Sequence, residues 1–346
     1  MRGRTTASLV KALGIGAIGG VAFQVLGLPL PWMLGPLSAN LVASARGIDV
    51  AVPERLREAF LGVLGLVLGS QVTPQLAQRL LDWPVSAMLL LLGVAASTAA
   101  AAAWYRRCGF DAVSAWFASA PGAMTAMIML GDRVGGDPQR IAIAQSLRVI
   151  LVILLLPALF WTFEDSTASA DAARGGQAEH LWLLLTLPVV IPLGRWLNLP
   201  TPSLLAPLLL VAVLGFFGIA SLQLPAWGMD LMLWMLGSAI GARFQGLTGK
   251  RLGRYAFQAG VATALALAVL AVFAELIHLS VGVPRDVALL ALAPGGIGEM
   301  AIVAVALGLD PMFVAFHHLL RMVALMIAAP LWVRWLNRKK RMSDEL

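Results

Sequence analysis

The sequence predicts an all-α integral membrane protein built from two inverted-topology repeats, each with about five transmembrane helices plus one broken or re-entrant segment. Three observations predict it. Of the 346 residues, 60% are hydrophobic and only 12% are charged, and a water-soluble surface cannot be tiled from so few charges. Apolar segments recur along the whole chain, with basic residues clustered in the short stretches between them. The second half of the chain also aligns with the first.

The net charge of +7 does not indicate a nucleic-acid partner. Short basic clusters between apolar runs are the pattern of cytoplasmic loops facing an anionic lipid leaflet. The single cysteine, Cys108, excludes a disulfide framework, a CxxC site and any cysteine-rich metal site. The lipid bilayer is therefore the first expected partner.

The first segment covers residues 8–26. Arg2 and Arg4 precede it as they would in a signal peptide, but the stretch is long enough to span and further membrane segments follow, so it reads as a retained helix. Gly14, Gly16 and Gly19 spell G-x-G-x-x-G without the preceding strand or the later acidic residue of a dinucleotide site. Gly16 and Gly20 instead form a GxxxG pair, a sign of close packing. Five more segments follow near 30–44, 57–73, 84–104, 112–131 and 138–163. The polar stretch 164–179 reads as a flexible linker. The second half holds segments near 180–197, 200–220, 228–245, 255–279, 286–307 and 311–335. The expected division is a first repeat at 1–163, the linker, and a second repeat at 180–346 with a basic cytoplasmic tail.

The duplication is explicit in the letters. Leu26–Leu37 (LGLPLPWMLGPL) and Leu197–Leu208 (LNLPTPSLLAPL) agree at seven of 12 positions, at an offset of 171. Ala120–Pro157 aligns without a gap to Ala293–Pro330 at an offset of 173, with 11 of 38 pairs identical. Between these blocks, Gly65 and Gly69 fall opposite Gly237 and Gly241.

The fifth segment of each half is broken at Pro121-Gly122 or at Pro294-Gly295-Gly296. If all twelve segments cross, 15 Lys/Arg lie inside and 8 outside. If the broken segments are re-entrant, 20 lie inside, 3 outside (Arg79, Arg174, Arg285), and Arg148 and Arg321 lie within the membrane. The second arrangement obeys the positive-inside rule better and makes both termini cytoplasmic. Five crossings per half then invert the second half, the architecture of secondary transporters with binding at the broken segments. Crossing broken helices stay open as the alternative.

Around these breaks stand the residues that carry chemistry. Backbone N–H groups after Pro121, Gly122 and Thr125, and after Pro294, Gly295 and Gly296, offer helix-terminus anion sites. Arg148 and Arg321 are buried-charge counterparts, and a central Arg costs about 2.5–3.5 kcal/mol on insertion scales, so each faces a cavity or a partner. They read either as anion ligands or as caps on the carbonyls of a broken helix. Glu299 is a deep carboxylate whose counterpart is Ala126; it can carry a proton, coordinate a cation, or pair with Arg321. Membrane histidines suggest proton relays: His318, which shares a helix face with Arg321, joins Glu299 as a coupling candidate, while His317, being adjacent, points in a different direction. Asp137-Pro138 and Asp310-Pro311 are good helix starts. No metal-ligand spacing is present, no cofactor is called for, and no Ser-His-Asp order, P-loop or kinase motif points to an enzyme.

The paired LPxPxxLxPL and APGxxxxM…DP…R…P blocks resemble the bacterial AbrB-type membrane protein family, whose hallmark is an internal duplication. The resemblance covers nearly the whole chain and implies a multi-pass protein of the bacterial inner (plasma) membrane. Members carry labels of ammonia monooxygenase, regulator of gene expression, or simply membrane protein. An oxygenase would need a copper or iron site, and four histidines and one cysteine offer little to build it. The residues point instead to secondary transport of a small anionic solute coupled to H+ or Na+, with a membrane-embedded regulator or sensor as the alternative. The reading leaves room for a homo-oligomer.

Overall fold

The computed structural model describes residues 2–72, 83–121, 124–163, 179–243 and 252–344. These residues form fourteen α-helices and no strand, apart from an isolated bridge between Glu179 and Gln223. The first half runs α1 (Arg2–Val25), α2 (Pro31–Ala45), α3 (Glu54–Gly69), α4 (Trp83–Arg107), α5 (Ala112–Ser119), α6 (Met124–Arg133) and α7 (Pro138–Phe163). The second half opens with a 3-10 turn (Leu181–Thr186) that continues into α8 (Leu187–Trp196). There follow α9 (Pro202–Phe216), α10 (Ala226–Ala242), α11 (Leu252–Val281), α12 (Arg285–Leu292), α13 (Ile297–Ala306) and α14 (Pro311–Asp344). Five stretches are long and apolar enough to cross a membrane: Thr6–Val25, Trp83–Arg107, Pro138–Leu156, Gly253–Val281 and Pro311–Ala329. The chain is a multi-pass membrane protein. Most of the linker, residues 164–178, lies outside the described residues.

The segment expected at 180–197 does not begin as an α-helix. Pro188 and Pro192 lack the N–H groups an α-helix would use there, and the ring of Pro188 crowds the carbonyl four residues earlier. The preceding residues therefore take the tighter 3-10 form.

The sequence repeat is also written in the backbone. Among the described residues eleven have positive φ, and ten of them fall into five pairs at the sequence offsets: Gly27 with Asn198, Leu30 with Thr201, Gly47 with Gly218, Gly109 with Gly282, and Gly135 with Gly308. Several end helices in the left-handed C′ geometry; Leu28 N donates to Phe23 O (2.9 Å) and Leu199 N to Gly194 O (3.0 Å), closing the same motif twice. Leu30 and Thr201 are the costlier pair, since a non-glycine residue in this region is strained by about 1–2 kcal/mol. Each is followed by a proline at the start of a helix, Pro31 or Pro202. Each also accepts the first helical hydrogen bonds, from Leu34 N (2.9 Å) and Leu205 N (3.0 Å).

The chain forms two compact units, and neither is one half of the duplication. The first unit comprises Met1–Leu81, Pro157–Gly249 and Ile302–Met312, so it joins α1–α3 to α8–α10. Within it α1 packs on α2, α3 on α9, and α10 on α2. The glycine pairs make these contacts reciprocally. A Cβ at Gly65 would strike the carbonyl of Leu204 and one at Gly69 the carbonyl of Leu208. In turn, a Cβ at Gly237 would strike Met33 O and one at Gly241 would strike Leu37 O. Leu204 and Leu208 are the counterparts of Met33 and Leu37. Beside the α3–α9 contact, Leu66, Val67, Leu183, Val211 and Leu222 form a buried core. The GxxxG pair of α1 behaves differently: the closest α1–α2 approach is at Gly19 and Gly35, while Gly16 and Gly20 face side chains.

The second unit comprises Asp82–Leu156, Lys250–Ala301 and Phe313–Leu346. It joins α4 to α11, where Gly93 lies against the Phe273 ring and Trp104 Nε1 donates to Gln258 O at 3.0 Å. It also holds both breaks, at Pro121 and at Pro294, and the two buried arginines.

Candidate functional site

Each broken segment ends its first helix two residues before a proline. Proline disfavours α geometry in the residue before it, so α5 stops at Ser119 and α12 at Leu292, leaving carbonyls without helical N–H partners. In the low dielectric of a membrane those carbonyls need donors. The arginines supply them. Arg148 Nη1 donates to Ser119 O at 3.1 Å. Arg321 Nη1 donates to Ala293 O at 2.5 Å and Nη2 to Gly295 O at 2.5 Å. Each cation also meets the negative end of a short helix.

The residue three before each arginine completes the cradle. Gln145 Nε2 donates to Phe117 O (2.6 Å) and Ala120 O (3.2 Å), while its Oε1 accepts from Arg148 Nη2 at 3.2 Å. His318 sits 173 positions later. Arg321 Nη2 is 2.8 Å from His318 Nδ1, and His318 Nε2 is 3.0 Å from Leu290 O. A guanidinium cannot accept and a carbonyl cannot donate, so the ring is neutral, with its proton on Nε2. Phe117 and Leu290 are also counterparts at an offset of 173. Thus the capping alternative for Arg148 and Arg321 is what the contacts display.

Both guanidinium groups are buried, with Arg148 7% and Arg321 3% exposed. In both, Nε has no hydrogen-bond partner among the described residues. The contacts of Arg321 among the described residues are the carbonyls of Leu292, Ala293 and Gly295 and the His318 ring.

Glu299 goes elsewhere. Met300 N donates to Gly296 O at 3.0 Å, which makes Gly296 the N-cap of α13 and Glu299 its third helical residue. A Cβ at Gly296 would collide with the Glu299 carboxylate, so the side chain folds back over the helix start. This is the capping-box position, and it puts a tethered carboxylate at the positive end of α13. The equivalent residue on α6 is Ala126, which has no such group.

Among the other expected site residues, Pro121 and Pro294 are buried at the breaks, and Gly295 contributes its carbonyl to Arg321. Gly122 lies outside the described residues, as does the side chain of Thr125 on α6. His317 is fully buried; its Nδ1 bonds Phe313 O at 2.8 Å and its Nε2 meets Ser86 Oγ at 2.9 Å. Trp83 and Phe313 stack around its ring, with centroids 6.0 Å and 4.0 Å away. Asp137 and Asp310 are N-caps: Asp137 Oδ1 accepts from Gln139 N at 2.9 Å, and Asp310 Oδ1 from Met312 N at 3.0 Å. Among the described residues, no three His, Cys, Asp or Glu side chains come together to hold a metal. Gln145 carries no chemical motif of its own in the sequence; its offset of 173 from His318 is the signal for its part in the cradle.

The chain is similar to bacterial proteins along nearly its whole length. The chain is 28% identical to "Uncharacterized protein YhjN" of Bacillus subtilis (strain 168), covering 94% of this chain and 92% of that protein. It is 25% identical to "Putative regulator AbrB" of Escherichia coli (strain K12), over 92% of this chain and 93% of the relative. The profile of the family described as "Transition state regulatory protein AbrB" matches residues 4–337, and the chain belongs to that AbrB family.

Proposed function

We propose that the protein is a secondary transporter of a small anionic solute, coupled to H+ or Na+, with two inverted repeats meeting at the broken segments. One observation carries this reading. Two buried guanidinium groups stand in equivalent cradles of one unit, each with an Nε that has no hydrogen-bond partner among the described residues. A buried cation in low dielectric favours an anion beside it. The reciprocal glycine contacts support the inversion, because residue i meeting j′ while j meets i′ is the signature of a local two-fold axis.

The asymmetry assigns roles. The start of α13 carries its own carboxylate, Glu299, whereas the start of α6 has Ala126 in that place. A solute anion therefore belongs at the first break, held by helix N–H groups and Arg148. Glu299, folded over the start of α13, is the coupling group. His318 assists by fixing Arg321. The chain's own part is binding, orientation and charge transfer across the bilayer, without covalent chemistry.

The test is binding followed by flux. Acetate, lactate, sulfate and phosphate are screened by thermal shift on the purified chain, since ligands of the native state raise its stability. Any binder is then assayed radiolabelled in proteoliposomes under imposed H+ or Na+ gradients. Gradient-driven accumulation is the expected result. The name of the Escherichia coli relative favours one second reading, a membrane-embedded regulator that senses the anion; saturable binding with no flux under either gradient would establish that reading instead.

A further inference from the structure

The second unit contains a cavity of about 240 Å³ that the reading above does not use. It is lined by Cys108 and Phe110, just past α4, by Arg140 in the first turn of α7, and by Arg254, Tyr255 and Gln258 at the start of α11. We propose that this cavity binds the headgroup of phosphatidylglycerol, with Arg254 and Arg140 on the phosphate and Tyr255 and Gln258 on the glycerol hydroxyls.

Arg140 is positioned without being used up. Its Nη1 donates to Gly109 O at 2.9 Å, its Nε lies 3.3 Å from Asp137 Oδ2, and its guanidinium stands over the Phe110 ring, 5.3 Å from the centroid. Its Nη2 has no partner among the described residues. Arg254 has no hydrogen-bond or ion-pair partner among them either, and the Tyr255 hydroxyl and the Gln258 amide have none. The walls themselves are fixed: the Phe110 ring packs on Tyr105 at 4.8 Å, and Trp104 Nε1 holds the backbone of Gln258. Guanidinium groups bind phosphate oxygens through charge-assisted hydrogen bonds, and basic pockets between membrane helices accept anionic headgroups. The lipid chains have a path as well. Arg254, Phe257, Leu265, Val272 and Leu279 share one face of α11, and all of them are exposed. The cavity thus stands at the head of an apolar stripe that runs the length of the helix.

The duplication supplies an internal comparison. At the offset of 173, Arg140 corresponds to Phe313, Phe110 to Val283 and Gln258 to Val85. Phe313 is buried and meets Trp83 edge-on, with ring centroids 5.4 Å apart. One half therefore buries a ring where the other holds a guanidinium at an open cavity. A groove left over from helix packing would carry the same chemistry in both halves. Phosphatidylethanolamine fits the lining less well, because its ammonium would meet the two guanidinium groups. The same glycerol phosphate chemistry is offered by free glycerol 3-phosphate, but a soluble ester has no use for the stripe below the cavity.

The full chain is placed in phosphatidylcholine nanodiscs containing a rising fraction of phosphatidylglycerol. Cys108, the single cysteine, lines the cavity and reports its occupancy through the rate of reaction with N-ethylmaleimide, a neutral reagent. We expect that rate to fall saturably as phosphatidylglycerol rises. The half-saturating fraction should increase about fivefold in Arg254→Gln, the worth of one basic side chain against an anionic headgroup. It should stay unchanged in Arg46→Gln, which removes an exposed cation outside the cavity. Native mass spectrometry of the purified chain should show phosphatidylglycerol retained over phosphatidylethanolamine, and less of it in Arg254→Gln. No fall in rate, or a fall of equal midpoint in the parent and Arg254→Gln, overturns the proposal, because the lipid would then act only through the general surface. So does protection by free glycerol 3-phosphate with none by the lipid, which would assign the cavity to a soluble phosphate ester. None of these readouts depends on anion transport.

Discussion

Gln145 and His318 perform one task from equivalent positions. Each donates to a carbonyl at the end of a short helix, Phe117 or Leu290, and each accepts from the arginine three residues on. An amide and a neutral imidazole are interchangeable here because each presents one donor and one acceptor on opposite sides. His318→Gln should therefore leave the melting temperature of the purified protein nearly unchanged. His318→Ala should lower stability by about 1–3 kcal/mol, because Arg321 and Leu290 each lose a buried partner. Loss of ion-driven uptake in His318→Gln at normal stability would make His318 a proton carrier and overturn this reading.

The two arginines should differ in stability more than in binding. Arg321 holds the carbonyls of Ala293 and Gly295, and Arg148 holds that of Ser119. Arg321→Gln should therefore destabilise more than Arg148→Gln, by about 1.5–3 kcal/mol for the additional charge-assisted bond. Denaturant titration of both variants checks this. Both should weaken anion binding, Arg148→Gln at least as much as Arg321→Gln, since the solute is placed at the first break.

Glutamine retains the shape and acceptor of Glu299 but cannot titrate, and it serves equally well at the third position of a capping box. Glu299→Gln should thus spare stability and equilibrium binding of the anion while abolishing accumulation against a gradient. Equal uptake by variant and parent would reduce Glu299 to a helix cap. Gly296→Ala offers an independent check: its Cβ would displace the carboxylate and should impair the same step.

Backbone approach at the paired glycines predicts a steep response to size. Gly69→Leu and Gly241→Leu should prevent folding or stable purification, because each added side chain meets a carbonyl of the opposing helix. Gly260→Leu is the control, with nothing within 4 Å of an added Cβ. Size-exclusion profiles of the three variants decide it. Matching profiles would mean that these helices can part without consequence.

Orientation is tested by cysteine labelling in a Cys108→Ala background. Burial already pushes the Cys108 thiol up, which slows its own reaction by lowering its thiolate fraction. A cysteine at Ala172, in the linker outside the described residues, should react with an impermeant maleimide from outside intact cells, and one at Ser343 should not. The reverse pattern would turn the molecule over. Labelling of neither or both from outside would remove the five-plus-five topology.

Composition alone determined that this chain lives in lipid, because charge content cannot be hidden by folding. Self-alignment determined the duplication, the positions of both breaks and the pairing of Arg148 with Arg321, because each is recorded in letters at a constant offset. Local chemistry was also legible: Asp137 and Asp310 cap their helices as the Asp-Pro pairs implied. The tertiary structure decided what depends on contacts between residues far apart in the chain. It distributed each half over both compact units, turned Arg321 toward the carbonyls of Ala293 and Gly295, and folded Glu299 back over Gly296. A hydrogen-bond donor can serve any acceptor the fold brings within about 3 Å. Spacing along the chain names the candidates, and only packing selects among them.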